Sequence, residues 1–209
     1  VTGTRIKPNV YFLLDNSGSM DACTNGDDGW GECNDPGNRW EVLISALNSK
    51  ATQLSTDFNV GAAYFPGMSN SNDEPKECID LLPNRIINNF DACNVSPEGG
   101  TPIVESLNNV RTRQSYEFTP DTISSQRGKA VVVITDAESA DNQDFNFNNA
   151  VTATTALKNA GVKVYYMGFA GVNEANMQTL ANAGGTGVWY KITDTNSIIA
   201  ALNAISASM

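Results

Sequence analysis

The chain has 209 residues, no histidine and a formal net charge of -10, from 23 acidic and 13 basic residues. The absence of histidine excludes Ser-His-Asp and Cys-His catalytic pairs and His-ligated zinc. The acidic balance argues against a nucleic-acid partner, and no apolar stretch approaches the roughly 20 residues that cross a bilayer, so we expect no membrane insertion by this domain.

The predicted elements begin with an apolar run at residues 10–14, which is typical of a strand buried on both faces. Residues 21–38 are rich in Gly, Asp and Asn and predict an acidic surface loop. Residues 39–54 carry apolar side chains at helical spacing. Residues 58–65 then predict a second apolar strand.

The chain continues through an irregular excursion at residues 68–98, in which residues 78–90 predict either a short edge strand or a partly ordered segment. Thr101 and Pro102 suit the N-cap and the first residue of a helix that runs to about residue 113. The remaining predicted elements are a strongly apolar strand at 129–135, an Asn-rich loop at 141–149, a helix at 150–160 that Gly161 ends, a strand at 162–169, a helix at 174–183, a strand at 188–192 and a helix at 195–206.

This alternation of strands and helices predicts an α/β fold, with a doubly wound, mostly parallel sheet flanked by helices on both faces. The length fits one domain over residues 1–209. In such a sheet the loops that leave the carboxyl ends of the strands converge, and ligands bind there.

Four cysteines, none in a Cys-x-x-Cys spacing, favour disulfides over a zinc ribbon or a redox motif. Of the three connectivities, we favour Cys23 with Cys33 and Cys78 with Cys93, because each pair closes a short, polar, turn-rich segment. Disulfides imply an oxidising compartment, whereas four free thiols would be typical of a cytosolic protein.

Oxygen-bearing side chains follow two predicted strands and open one predicted helix. Asp15, Ser17 and Ser19 lie on alternate positions directly after the first strand. Asp136 follows the most apolar strand, and Thr101 precedes the helix. If these two strands are neighbours, the sequence predicts an octahedral site for a divalent cation, with Mg or Mn favoured and Ca as the alternative.

This pattern resembles a von Willebrand factor type A (VWA) domain with a metal-ion-dependent adhesion site, and so a Rossmann-like fold. The resemblance rests on Asp-Asn-Ser-Gly-Ser-Met at 15–20, Gly-Gly-Thr-Pro at 99–102 and Ile-Thr-Asp at 134–136, in the family's order. The insertions and composition are similar in style to bacterial surface or pilus-associated adhesins.

The resemblance implies roles for the matching residues. Ser17, Ser19 and Thr101 would present hydroxyls to the cation. Asp15 and Asp136 would bind it directly or through water. A cation held largely by neutral groups keeps much of its positive charge, so an Asp or Glu of a protein or matrix ligand would complete its shell.

We predict that Asn16, Gly100 and Glu138 form the rim of the site that a ligand contacts. Family members often have Gly after the last Asp, where this chain has Ala137 followed by Glu138. We interpret Glu138 either as a rim residue that tunes access or as a solvated charge. The insertion at 21–38 is either a specificity or second-metal element or a surface loop.

The sequence therefore favours an extracellular, cell-surface or periplasmic recognition module, not an enzyme, within a larger surface protein or assembly. One alternative is a Mg-dependent phosphatase-like hydrolase, in which a strand also ends in Asp. A second alternative is an intracellular VWA assembly subunit, which free thiols would favour.

Overall fold

A computed structural model describes residues 6–24, 33, 37–67, 74–137 and 146–209. Its elements in chain order are β1 (Asn9–Asp15), α1 (Arg39–Asp57), β2 (Asn59–Phe65), β3 (Lys76–Ile79), α2 (Ile103–Arg113), β4 (Lys129–Thr135), α3 (Phe147–Asn159), β5 (Lys163–Phe169), α4 (Glu174–Ala183), β6 (Tyr190–Ile192) and α5 (Thr195–Ser208). Short 3-10 turns occupy Gly18–Asp21, Asp91–Cys93 and Ser124–Gln126. Within the described ranges, no helix combines the length and apolarity that a membrane span requires.

The six strands of the described residues form one sheet in the order β3-β2-β1-β4-β5-β6, and all neighbours are parallel except β2 and β3. The predicted doubly wound α/β fold is therefore confirmed. β1 lies in the middle of the sheet, between β2 and β4. The carboxyl ends of β1 and β4 consequently meet at the same edge.

Helices cover both faces of the sheet, which explains why every residue of β1 is buried. Val10, Phe12 and Leu14 belong to one apolar cluster, which includes side chains of α1 and α5. Tyr11 and Leu13 belong to the other, which includes side chains of α2, α3 and α4. Alternation along the strand thus sends successive side chains to opposite layers, and the sheet is held in place from both sides.

Some boundaries differ from those that the sequence predicts. α2 begins at Ile103 with Pro102 at the N-cap position, so the prediction of Thr101 as the N-cap is wrong; Thr101 is buried, and its carbonyl accepts from the Ile103 N–H at 2.8 Å. α3 begins at Phe147, not at residue 150, because Asn146 caps it by accepting from the Asn149 N–H. The predicted Asn-rich loop is therefore partly helical, and residues 141–145 lie outside the described residues.

The excursion after β2 contains a strand that begins earlier than predicted. β3 starts at Lys76 and pairs antiparallel with β2 at the edge of the sheet, where a short strand needs only one partner. Between Ile79 and the turn at Asp91–Cys93, the chain is irregular. The edge-strand alternative is thus confirmed, with its boundary moved.

Two disulfides join Cys23 to Cys33 and Cys78 to Cys93, which is the pairing that the sequence favours. The first holds the predicted insertion at 21–38, of which residues 25–32 and 34–36 lie outside the described residues. Cys23 also forms an isolated antiparallel bridge with Asn38, the residue that caps α1. The bridge brings the two ends of the insertion together at the start of α1.

Candidate metal centre

The structure carries the loops with the predicted ligands to the carboxyl edge of the sheet. Asp15 ends β1, and Asp136 directly follows the neighbouring strand β4. The Gly18 N–H donates to the Gly99 carbonyl at 3.0 Å, which docks the loop that leads to Thr101 against the loop after β1. Gly99 has φ +79°, a left-handed conformation that favours glycine.

A chain of hydroxyls links the first loop to Asp136. The Ser19 hydroxyl donates to Asp136 Oδ1 at 2.9 Å, and the Ser17 and Ser19 hydroxyl oxygens lie 3.0 Å apart. Since a hydroxyl carries one hydrogen and Ser19 uses its own on Asp136, Ser17 is the donor to Ser19. Ser17 and Asp136 are each 1% exposed, whereas Ser19 is exposed, so the site opens to solvent at Ser19.

Asp15 is held by two donors on opposite sides. The Ser17 N–H donates to its Oδ1 at 2.9 Å, and the Thr135 hydroxyl donates to its Oδ2 at 2.5 Å. The Thr135 hydroxyl in turn accepts from the Ala137 N–H at 2.9 Å. Sequence analysis missed the role of Thr135, because its place at the end of an apolar strand predicts only packing.

The environment of Asp15 disfavours its charge. Burial, and secondly the nearby Asp136 carboxylate, raise the pKa of Asp15 to about 7, although the hydrogen bonds from Ser17 and Thr135 act in the opposite direction. A carboxyl group with a raised pKa in a partly open polar cluster is typical of a functional site. A bound cation would favour the ionised form of Asp15.

Arg39 is a second residue that sequence analysis missed. Its guanidinium forms an ion pair with Asp136 Oδ2 at 2.5 Å, and both side chains are buried. The same guanidinium lies 3.4 Å from the carbonyl oxygens of Ser19 and Ala170. One sequence signal was available, since a basic residue at the start of a helix opposes the helix dipole and therefore calls for a specific partner.

The donor set fits a hard divalent cation such as Mg or Mn. Carboxylate and hydroxyl oxygens, without sulfur or imidazole, are the ligands that these ions prefer. Within the described part of the chain, no group of three or more His, Cys, Asp and Glu residues could hold a metal ion. A cation here would therefore depend on hydroxyls beside two carboxylates, with Asp15, Ser17, Ser19, Thr101 and Asp136 as the candidate ligands.

The three predicted rim residues have different surroundings. Asn16 is 1% exposed, and its amide donates to the Val95 carbonyl at 3.3 Å. Gly100 is half-buried, and Glu138 lies outside the described residues. Contact of these residues with a ligand stays a prediction.

A model of the von Willebrand factor type A domain family matches residues 9–204. The chain belongs to this family. The match runs from the start of β1 into the last helix, α5, of this VWA domain. No curated protein matches the sequence.

Several solved structures are similar to this VWA domain. The PilB minor pilin from Streptococcus sanguinis superposes with a TM-score of 0.68 at 16% identity, and the match covers 100% of this chain and 62% of the pilin. Manganese-loaded TRAP from Plasmodium vivax gives a TM-score of 0.62 at 19% identity, with coverage of 93% and 71%. The VWA domain of SpRpn10 gives 0.59 at 11% identity, with coverage of 92% and 94%. At these identities the similarity shows the fold alone.

Proposed function

We propose that this VWA domain is a recognition module that binds a protein or matrix ligand through a divalent cation, Mg or Mn in preference to Ca. The observation that carries the proposal is the hydrogen-bonded cluster of Asp15, Ser17, Ser19 and Asp136 at the carboxyl edge of the sheet, buried except at Ser19. A cation bound there would supply electrostatic attraction for the carboxylate of a ligand.

The residues of the chain would divide this work. Asp15 and Asp136 would provide the negative charge that attracts the cation, and the hydroxyls of Ser17, Ser19 and Thr101 would provide neutral oxygens. Thr135 would orient Asp15 through the hydrogen bond to its Oδ2. Ser19, as the exposed member, marks the side from which a ligand would approach.

The setting that we propose is outside the cytoplasm, at a cell surface or in the periplasm. The two disulfides support an oxidising compartment. The chain spans about three fifths of the length of the similar pilin, which supports a role within a larger surface protein or assembly. One similar structure is a minor pilin and another, TRAP, is loaded with manganese, which supports a pilus-type setting and a divalent cation.

The decisive experiment compares Thr101→Val with Thr154→Val. Both threonines are buried, but Thr154 lies on α3 and shares a hydrogen bond with Tyr166 away from the site. We expect a calorimetric titration with Mn²⁺ to show binding by the wild type and by Thr154→Val. Thr101→Val should bind at least about tenfold more weakly, because a ligating hydroxyl is lost.

A second measurement tests the carboxylate partner. An array of peptides with Asp or Glu, paired with their Asn and Gln counterparts, should retain the protein only on the acidic members and only with Mg²⁺ or Mn²⁺ present. Wild-type protein that binds neither cation would refute the proposal. Magnesium-dependent hydrolysis of a phosphate ester would favour the phosphatase alternative instead.

A further inference from the structure

The guanidinium of Arg39 is built into the site more firmly than an ordinary surface arginine. Arg39 is 4% exposed and its partner Asp136 is 1% exposed. Its contacts reach three separate segments, through Asp136 after β4, the Ser19 carbonyl after β1 and the Ala170 carbonyl after β5. Arginine brings a full positive charge, and here that charge is fixed on one carboxylate.

The backbone that carries Arg39 is also held from outside. The Arg39 N–H donates to the Ala22 carbonyl at 3.0 Å. Asn38 caps α1 by accepting from the Glu41 N–H at 2.7 Å, and it bridges to Cys23 of the first disulfide. The described ends of the insertion, at Ala22, Cys23 and Asn38, therefore hold the first turn of α1 and with it the position of the guanidinium.

The buried charges around the site do not balance. Asp15 and Asp136 carry two negative charges when ionised, and Arg39 carries one positive charge, which leaves a net charge of -1 among these three buried groups. The hydroxyls of Ser17 and Ser19 are neutral. A dication added to this set would leave a net charge of +1.

We infer that Arg39 is an internal counter-ion that neutralises Asp136, so that a cation in the site retains one unbalanced positive charge for an external carboxylate. The inference rests on the proposed function and assigns a charge-setting role to a residue outside the ligand set. Arg39 then weakens the affinity for the metal alone and strengthens the affinity of the metal-loaded site for an acidic ligand. The site would be tuned for ligand capture and not for metal retention.

The charge of Arg39 can be separated from its packing with three substitutions. Arg39→Gln removes the charge and keeps an amide donor for Asp136, Arg39→Met removes both, and Arg39→Lys keeps the charge. The matched control is Arg127→Gln. Arg127 forms an ion pair with Asp121 at 2.7 Å and donates to the Lys7 carbonyl, at the opposite, amino edge of the sheet.

Two quantities should be measured on protein whose fold is verified by near-ultraviolet circular dichroism. The first is the Mn²⁺ dissociation constant, from the electron paramagnetic resonance signal of free Mn²⁺. The second is the acetate concentration that half-displaces water from bound Mn²⁺, from the relaxation of water protons in Mn²⁺-saturated protein. Acetate serves as the carboxylate probe because the natural ligand is unidentified.

We expect Arg39→Gln and Arg39→Met to bind Mn²⁺ about tenfold more tightly than the wild type and acetate about tenfold more weakly, since a full charge near a dication is removed. Arg39→Lys and Arg127→Gln should remain within about threefold of the wild type in both measurements. Either folded neutral variant is sufficient for the comparison.

Different results would overturn different claims. Wild-type protein that binds no Mn²⁺ would refute the proposed function and this inference together. Wild-type binding with unchanged or weaker Mn²⁺ binding in the neutral variants would refute the inference alone. Equal effects of Arg39→Lys and Arg39→Gln would show that Arg39 acts by packing, and would also refute it.

Discussion

Strand β1 has buried polar side chains at both of its ends, and the two ends differ in charge. At the amino end, Asn9 and Asn59 are 0% and 1% exposed, and the Asn59 amide donates to Asn9 Oδ1 at 2.8 Å. The Asn9 amide donates to the Tyr116 carbonyl, and Asn59 Oδ1 accepts from the Asn84 N–H. These groups are neutral, and their hydrogen bonds stay within the protein.

At the carboxyl end, Asp15 and Asp136 are equally buried but ionisable, and only Asp136 has an ion-pair partner in the described structure. Burying a charge is costly unless it is paired, whereas a satisfied amide costs little. Burial of polar groups therefore does not by itself indicate function. What distinguishes the carboxyl edge is that its two buried carboxylates face only one buried positive charge, that of Arg39.

The largest expected effect comes from making the amino edge resemble the carboxyl edge. Asn9→Asp would place a carboxylate oxygen where the Asn9 amide now donates to the Tyr116 carbonyl. We expect unfolding free energy at pH 7 to fall by about 3 to 5 kcal/mol, as when a buried charge has no partner. Urea denaturation would measure this, with exposed Asn203→Asp as the control. A loss below about 1 kcal/mol would contradict the contrast between the two edges.

The converse change, Asp15→Asn, should stabilise the metal-free protein at pH 8. The pKa of Asp15 is about 7 in the folded protein, above the ordinary value of 3.8, so the contribution of this group to stability falls as pH rises between these values. Removing the charge should restore up to about 4 kcal/mol at pH 8 and little at pH 4. Denaturation with a chelator present measures the gain, and Mn²⁺ binding should be lost. Equal stability of both proteins at pH 8 would contradict the shift.

The disulfides provide a third contrast, because only one of them lies beside the site. Cys23→Ser with Cys33→Ser and Cys78→Ser with Cys93→Ser should each lower the free energy of unfolding by about 3 kcal/mol, from the entropy of the opened loop. Only the first pair, which holds the start of α1, should also change Mn²⁺ affinity. Equal changes in Mn²⁺ affinity in the two double variants would show that the insertion has no specific influence on the site.

The pH dependence of Mn²⁺ binding tests the ionisable carboxyl edge without a substitution. Because the pKa of Asp15 is raised to about 7, a proton competes with the cation below that pH. The apparent Mn²⁺ affinity should fall by about tenfold per pH unit below pH 7 and level off above it. Arg127→Gln, at the amino edge, should give the same profile. A flat profile between pH 5.5 and 8, on the order of a twofold change or less, would show that Asp15 does not titrate with the site.

Much of the fold follows from local patterns. The apolar runs predict β2, β4 and β5 to within one residue of their observed bounds, because strands buried on both faces have little freedom in composition. Boundaries fail where a side chain caps a helix against the local pattern, as Asn146 does for α3. The early start of β3 depends on pairing with β2, which no local pattern records.

The site is predictable in part for the same reason. Ser17, Ser19 and Asp136 are found in contact because their positions follow from the ends of neighbouring strands. Arg39 escapes prediction because its contact with Asp136 depends on how the first turn of α1 packs against the residue after β4, which no local pattern records. Candidate ligands on the loops can be inferred from the ends of the strands that carry them, but the place of Arg39 beside Asp136 cannot.

An exposed ion pair tests whether a charge must be buried, and not only near the carboxyl edge, to affect stability and Mn²⁺ affinity. We expect the weakest effect here. Lys191 on β6 forms an ion pair with Glu174 at the start of α4, and both side chains are more than half exposed, at 53% and 62%. Lys191→Met should lower stability by less than about 1 kcal/mol and leave Mn²⁺ affinity unchanged, because water screens exposed pairs. Thermal unfolding and the Mn²⁺ titration would check both. A change in Mn²⁺ affinity as large as that of Arg39→Gln would mean that long-range charge controls the site, and burial would then not explain the difference between the edges.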